Sequence, residues 1–409
     1  MNLYDELVWR GLIKDITSPE LKEKLNEGGM TFYIGTDPTA DSMHIGHYSS
    51  FLISKRLANK GHHPILLIGG ATGRIGDPRP TTEREMKTIE EIEKNVIGLT
   101  KQAKEIFGFE VVNNYDWIKN INTIDFLRDY GKYFNVNYML DKDIIRRRLE
   151  TGITFTEFSY MLLQSLDFLH LHETKNVNLQ VAGSDQWGNI TAGVDLIRKK
   201  TGDEVYAFTM PLVTDRYGNK FGKSEGNALW LDKNKTSSYE LYQFLINADD
   251  EKIIDYLKVF TFLSKEEIEE LEKKNNERPE LREAHKALAR EVITDLHGKE
   301  EYEKALRISE CLFSGDIKNL KLNEIEEGFK DVPSFEIEDS INIMDMFINN
   351  NICSSKREIR EFLNSGAITI NGEKVTDENL IINKDMAIEN KIIIIRRGKK
   401  KYYMGKFVK

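Results

Sequence analysis

An α/β architecture built on a parallel sheet, followed by a helical region and a small α+β tail, is the fold class that the sequence predicts. Three observations carry it. As far as Leu231, short apolar runs that stop at small or polar residues alternate with helical patterns. Residues 236–312 switch to helical periodicity alone. From Ile341 onward, two amphipathic helical patterns are followed by β-like runs and a hairpin signal.

Taken in order, Thr31-Phe32-Tyr33-Ile34-Gly35 reads as a strand, leading through Pro38 and Asp41 into an apolar helix from about His44 to Asn59. Pro64-Ile65-Leu66-Leu67-Ile68 is a second strand, ending at Gly69-Gly70. Asn178 to Ala182 is a third, followed by Gly183-Ser184-Asp185-Gln186 and a helix to about Lys200; Phe208 to Leu212 is again strand-like. Strand ends of this kind are where ligands bind in open α/β sheets. In the helical region Leu241, Phe244 and Leu245, then Leu281, Ala284, Leu288, Val292 and Leu296, recur at 3- and 4-residue steps, with Pro279 and Gly298 as boundaries. The tail predicts helices over Ile343–Asn349 and Lys356–Leu363, then strands at Ala367–Gly372 and Ile392–Ile395, with Asn371-Gly372 as a turn. The expected domains are therefore 1–232, a helical domain over 233–320, a linker over 321–340 that contains Pro333, and a tail domain over 341–409.

A chain of 409 residues exceeds one ordinary core, and 40% hydrophobic residues is a globular composition. No apolar run approaches the roughly 20 residues that cross a bilayer. The N-terminus, Met1-Asn2-Leu3-Tyr4-Asp5-Glu6, has no basic region of the secretory kind, so a cytoplasmic location is expected. Cys311 and Cys353 lack metal-type spacing and read as small buried hydrophobes of a reducing compartment. The net charge of −9 alone argues against nucleic acid. Its distribution does not: from Ile341 to the end, 13 Lys/Arg face 8 Asp/Glu, a balance of +5. A basic block on an acidic protein suggests a local polyanion-binding module, with a solvated tail as the plainer alternative.

Two short segments point to phosphate chemistry. His44-Ile45-Gly46-His47 sits between a strand and a helix, which Thr39 or Asp41 can cap, leaving N-terminal amides for an anion. Gly46 permits close backbone approach, and His44 and His47 can both donate to phosphate oxygens. The same pair could hold a metal, but no third ligand with metal-like spacing is evident nearby, so no protein metal site is expected. Lys220-Phe221-Gly222-Lys223-Ser224 lies about 175 residues later, and its two lysines can neutralise developing charge on a triphosphate; alone it reads more readily as a solvated turn.

Together with further runs, these segments resemble the bacterial tyrosyl-tRNA synthetases. The runs are Tyr33 to Ser42 leading into His44–His47, Gly69 to Gly73, Gly76-Asp77-Pro78, Tyr160 to Gln164, Asp167-Phe168, and Gly183-Ser184-Asp185-Gln186-Trp187-Gly188-Asn189. Lys220 to Ser224 resembles the second class I signature, and the tail resembles an S4-type RNA-binding domain. The matches are collinear over nearly the whole chain. They imply a Rossmann-like catalytic domain and a ligase that makes tyrosyl-adenylate from L-tyrosine and ATP, then charges the 3′ end of tRNA(Tyr), as a homodimer and without a membrane. By the resemblance, Tyr33 and Asp167 would bind the phenol hydroxyl, and Asp77, Tyr160 and Gln164 the α-ammonium. Gln186 would lie near the carboxylate and α-phosphate. Asp37, Gly46, Gly183, Asp185 and Lys223 would bind ATP, while His44, His47, Lys220, Lys223 and Ser224 would stabilise the transition state.

These roles suit the chemistry. A carboxylate nucleophile is ionised at neutral pH and needs no general base, so alignment and charge stabilisation dominate. Mg²⁺ is expected to accompany the triphosphate. A tryptophanyl relative would share the phosphate motifs without needing the Tyr33–Asp167 pair, and a non-catalytic RNA binder would need no clamp. Two departures from the family pattern stand out. Ile34 occupies a place where some members have a polar or thiol residue, and the run Arg79-Pro80-Thr81-Thr82-Glu83-Arg84 is one residue shorter and lacks a lysine.

Overall fold

The apolar runs of the first half are too short and too evenly buried for surface strands, and they form the parallel centre of one sheet. The computed structural model describes residues 1–79, 82, 85–224, 227–398 and 401–408; Arg84, singled out above, lies outside them. Its contacts divide the chain into two units, Met1–Thr236 with Ala248–Val292, and Ser237–Asn247 with Ile293–Lys409.

In the first unit, β1 (Asp15–Ile16), β2 (Thr31–Thr36), β3 (His63–Ile68), β4 (Glu110–Asn113), β5 (Val177–Gly183) and β6 (Tyr206–Met210) form a sheet of order β1-β6-β5-β2-β3-β4. All neighbours are parallel except β1, which runs antiparallel to β6. From β2 the order proceeds outward through β3 and β4, whereas β5 and β6 lie on its other side. That reversal opens a crevice beyond the carboxyl ends of β2 and β5, the usual ligand position in such sheets. β1 and β4 escaped the sequence reading because each is short and only partly buried.

Four helices cover this sheet: α1 (Ile45–Ala58), α2 (Ile89–Phe107), α3 (Phe155–Lys175) and α4 (Trp187–Thr201). Thr88 caps α2 and Thr154 caps α3, each accepting from a backbone amide three residues on. α3 buries Leu166, Phe168, Leu169 and Leu171 in a core with Tyr33, Ile65, Leu67, Leu196 and Ile197. Its residues 160, 164 and 167 fall at helical spacing, so they share one face toward the crevice.

The region 233–320 is helical as expected, but it is not one domain. α5 (Ile253–Phe260), the helix Lys265–Glu277 and most of Glu283–His297 belong to the first unit, while Ser238–Ile246 and Lys299–Ser314 belong to the second. Pro279 and Gly298 do stand at helix starts.

The stretch 321–340, expected as a linker, instead carries the helix Leu322–Gly328 and β7 (Ser334–Ile337). β7 completes a five-stranded sheet with β8 (Ile368–Ile370), β9 (Glu373–Lys374), β10 (Ile392–Arg397) and β11 (Lys401–Phe407), in the order β9-β8-β10-β11-β7. The run of isoleucines in β10 explains why. Ile393 and Ile395 pack with Ile343, Phe347, Ile359 and Leu363, while Ile392 and Ile394 pack with Ile308, Ile325 and Phe329. Both faces of β10 are covered, the second by residues that precede 341, so the boundary at 341 cuts through a core. Asn371 and Gly372, at φ 49° and 86°, form the expected tight turn between β8 and β9. No helix among the described residues is long and apolar enough to cross a membrane.

Candidate active site

The crevice beyond β2 and β5 gathers most of the residues singled out from the sequence. At its deepest point, Tyr33 from β2 and Asp167 from α3 are 1% and 2% exposed. Asp167 accepts hydrogen bonds from Asn114 Nδ2 and Trp117 Nε1, both at 2.9 Å. Burial pushes its carboxyl up to about 8, against the two hydrogen bonds and with help from the charge of Asp37. The Tyr33 hydroxyl is buried and has no hydrogen-bond partner among the described residues. Burial, and secondarily the Asp167 charge, raise its pKa well above the usual phenol value, so it is a neutral donor. An orphaned buried hydroxyl beside a buried carboxyl is costly to leave unpaired.

Nearer the mouth, a second cluster is assembled around Asn189. Its Nδ2 donates to Gln164 Oε1 at 3.0 Å, Gln186 Oε1 at 3.1 Å and Asp77 Oδ1 at 3.3 Å. Gln186 Nε2 donates to the other oxygen of Asp77 at 2.9 Å. Buried Tyr160 donates from its hydroxyl to Asp37 Oδ2 at 2.9 Å, and Thr72 Oγ1 donates to Asp37 Oδ1 at 2.7 Å. The result is a group of carboxylate and amide oxygens whose amide donors are turned toward one another. Such a group has acceptors to offer a cation.

The histidine turn is built differently from the sequence expectation. His44 itself caps α1, rather than Thr39 or Asp41, and Asp41 pairs with Lys235. His44 Nδ1 accepts from the Gly46 amide at 3.1 Å, and His47 Nδ1 accepts from the His44 amide at 3.2 Å. With Nδ1 accepting, a neutral ring carries its proton on Nε2 and donates from there. Gly46 is required for a local reason as well. A Cβ there would stand 2.9 Å from His44 Cε1, so any side chain would displace the ring.

Opposite this turn, the lysine segment begins on the return arm of a hairpin. Phe221 donates its amide to the Val213 carbonyl at 2.9 Å, and Lys220 bridges Thr214. Backbone bonds then join the segment to the histidine turn: Leu229 donates to Gly222 at 3.2 Å, and Ile45 donates to Leu229 at 2.9 Å. Gly222 has φ +80°, and a Cβ on it would stand 1.9 Å from Ile45 Cγ2. His44, Gly46, His47, Gly183, Leu212 and Lys220 line the same cleft. The backbone of Lys223 and Ser224 lies on a short strand, paired with Asn227–Ala228, while their side chains, singled out from the sequence, lie outside what the structure describes.

Gly183 ends β5, where a Cβ would meet Asp185 Oδ1 at 2.7 Å, which places the Asp185 carboxylate over the strand end. Asp37, expected on the ATP side, is hydrogen-bonded into the cluster that contains Tyr160. Ile34 is buried. Three residues of the site were missed. Asn189 stands inside the quoted Gly183 to Asn189 run, so its signal was present. Asn114 and Trp117 follow the short β4 without any motif, and only the strand order brings them to Asp167. No group of three or more His, Cys, Asp or Glu suited to a metal is found among the described residues.

Comparisons with known proteins agree over the whole length. The family model described as tRNA synthetases class I (W and Y) matches residues 25–314, and that of the tyrosine–tRNA ligase SYY-like C-terminal domain matches residues 324–405. A tyrosine–tRNA ligase of Listeria monocytogenes is 53% identical over 99% of this chain and 99% of its own. One from Limosilactobacillus reuteri is 50% identical over 99% and 100%. Among solved structures, a C-terminally truncated mitochondrial tyrosyl-tRNA synthetase of Aspergillus nidulans is 32% identical, with a TM-score of 0.67 over 76% of this chain and 94% of that one.

Proposed function

The chain belongs to the class I tyrosine–tRNA ligases, and from that premise we propose how its own residues divide the reaction. The carboxylate of L-tyrosine attacks the α-phosphorus of ATP, and pyrophosphate leaves. The 3′-terminal ribose hydroxyl of tRNA(Tyr) then attacks the adenylate carbonyl, and AMP leaves. The observation that carries the substrate assignment is the orphaned Tyr33 hydroxyl beside Asp167. A phenol hydroxyl accepts from Tyr33 and donates to Asp167, whereas a phenyl ring leaves both unpaired.

Asp77, Gln164 and Tyr160 receive the α-ammonium, with Asn189 holding the oxygens of Asp77 and Gln164 in place. Gln186 is next to this group and stands by the carboxylate. Gly183 and Asp185 receive the adenosine side of ATP, Gly46 leaves room at the turn, and Asp37 links the two halves through Tyr160. His44 and His47 donate through Nε2 to the phosphates, joined by Lys220, Lys223 and Ser224 as charge develops on the departing pyrophosphate. Mg²⁺ travels with the triphosphate oxygens, with no dedicated protein site.

We assign the second unit to tRNA, through the basic excess of its S4-like part. A homodimer is supported by the large apolar side chains left exposed between residues 124 and 155, Ile124, Leu127, Val136, Tyr138, Leu149 and Phe155. The location is the cytoplasm. Tyrosine-dependent exchange of labelled pyrophosphate into ATP tests the reading: exchange with tyrosine is expected, and exchange driven by tryptophan instead, or none, would defeat it.

A further inference from the structure

α5 lies outside the crevice, yet it touches the lysine segment and the helix that begins at the histidine turn. On one side, the buried Tyr256 donates from its hydroxyl to the Thr214 carbonyl at 3.1 Å, and Thr214 is the residue that bridges Lys220 across the hairpin. Its ring and that of Phe260 hold the Phe221 ring, at centroid distances of 4.2 and 5.2 Å. Just before α5, Asp249 accepts from the Arg216 amide at 3.3 Å, near the hairpin tip. On the other side, Phe260 stacks on Tyr48 of α1 with ring planes 3° apart and centroids at 6.1 Å. Carbonyls at and just past the C-terminus of α5 are gripped by buried arginines. Arg10 donates to Lys258 at 3.0 Å and to Leu263 at 2.7 Å, and Arg56 of α1 donates to Thr261. Cations at a helix C-terminus satisfy its last carbonyls and complement its dipole. Glu6 bridges both arginines, at 2.8 and 3.2 Å.

We propose that α5 is a strut that sets the separation between the histidine turn and the lysine hairpin, with Tyr256 as the positioning residue for Lys220. The argument is geometric. α1 carries His44 and His47 at its start and meets α5 through Tyr48 and Arg56. The hairpin carries Lys220 and meets α5 through Thr214 and Phe221, and the segment just before α5 through Arg216. The backbone bonds from Ile45 to Leu229 and from Leu229 to Gly222 hold the segment after Phe221, whereas the α5 contacts hold the arm before it. Tyr256 acts at that arm. It touches no substrate, and its effect reaches the phosphates only through Lys220.

This inference rests on the proposed role of Lys220, and the two are separable in one experiment. Single-turnover formation of tyrosyl-adenylate and equilibrium binding of tyrosine are measured for the full chain, Tyr256→Phe, Lys220→Ala and the double variant. Tyr256→Phe is expected to slow adenylate formation about fivefold, the worth of one neutral hydrogen bond, with tyrosine affinity unchanged. In the Lys220→Ala background the same substitution is expected to add nothing, since the group it positions is gone. Equal slowing in both backgrounds, no slowing at all, or a matching loss of tyrosine affinity would each overturn the strut. A Lys220→Ala protein as fast as the parent would instead remove the lysine's role, and the strut with it. Should Tyr256→Phe fail to fold, as loss of its cooperative thermal unfolding transition would report, Phe221→Leu, which loosens the same contact from the hairpin side, carries the same cycle with the same expectations.

Discussion

Tyr33 and Asp167, at the deep end of the crevice, are almost wholly buried, whereas His44 and His47 are half-buried and Lys220 is exposed on a hairpin arm. The deep end is assembled before any substrate arrives. Asn114 and Trp117 already hold Asp167, and only the Tyr33 hydroxyl waits for a partner. At the open end, by contrast, the donors are placed by a helix cap and a turn. The difference fits the two tasks. Choosing between hydroxyl and hydrogen needs a dry site in which an unpaired polar group is expensive. Stabilising a departing pyrophosphate needs cations and N–H donors where a large anion can enter and leave.

The comparison breaks most visibly if the open end is disarmed. Lys220→Ala is expected to lower the rate of adenylate formation by about a hundredfold or more while leaving tyrosine affinity intact, as single-turnover kinetics and a binding titration would report. An equal loss in affinity would mean that the two ends are not separable. Asp167→Ala should do the reverse, weakening tyrosine binding by about a hundredfold with little change in the Michaelis constant for ATP, because Asn114, Trp117 and the substrate hydroxyl all lose a partner.

A smaller effect sharpens the account of the deep end. The Asp167 carboxyl titrates near 8 because burial disfavours its charge. A phenol donating to it favours the ionised form, so binding below that pH must release a proton. Tyrosine affinity is therefore expected to rise about tenfold between pH 6 and 8, and to be flat in Asp167→Asn; a flat profile in the parent protein would contradict the assignment. The same raised pKa makes this group favour the folded state at low pH. That contribution is complete below the unfolded carboxyl value of about 4 and is lost as pH rises through about 8.

The smallest expected effect concerns Tyr33. Tyr33→Phe removes a buried hydroxyl that has no partner in the free protein. The midpoint of thermal unfolding should stay the same or rise, while tyrosine binding weakens several-fold. A clear loss of stability would show that the hydroxyl is already satisfied in the free protein.

What was legible in the sequence follows the same division. α3 offers residues 160, 164 and 167 at helical spacing, and the strand ends at Gly35, Gly69 and Gly183 mark the crevice, so the substrate face could be read locally. The partners of Asp167 could not, because Asn114 and Trp117 reach it only through the place of β4 in the sheet. The cap of α1 was misplaced for a different reason. A histidine seldom caps a helix, and here Gly46 makes room for the ring to do so. The presumed linker concealed β7 because four partly polar residues do not announce a strand; their pairing with β11 makes them one. For that reason a truncation at 341 would strip Ile392, Ile394 and Met404 from Ile308 and Phe329, and it tests folding before it tests tRNA binding.

The separation of choosing from reacting is tested most directly by the ratio of kcat/KM for tyrosine to that for phenylalanine, measured by pyrophosphate exchange. The ratio is expected to collapse in Asp167→Ala and to survive in Lys220→Ala, where both substrates slow together. A ratio preserved in the first variant, or lost in the second, would contradict the account.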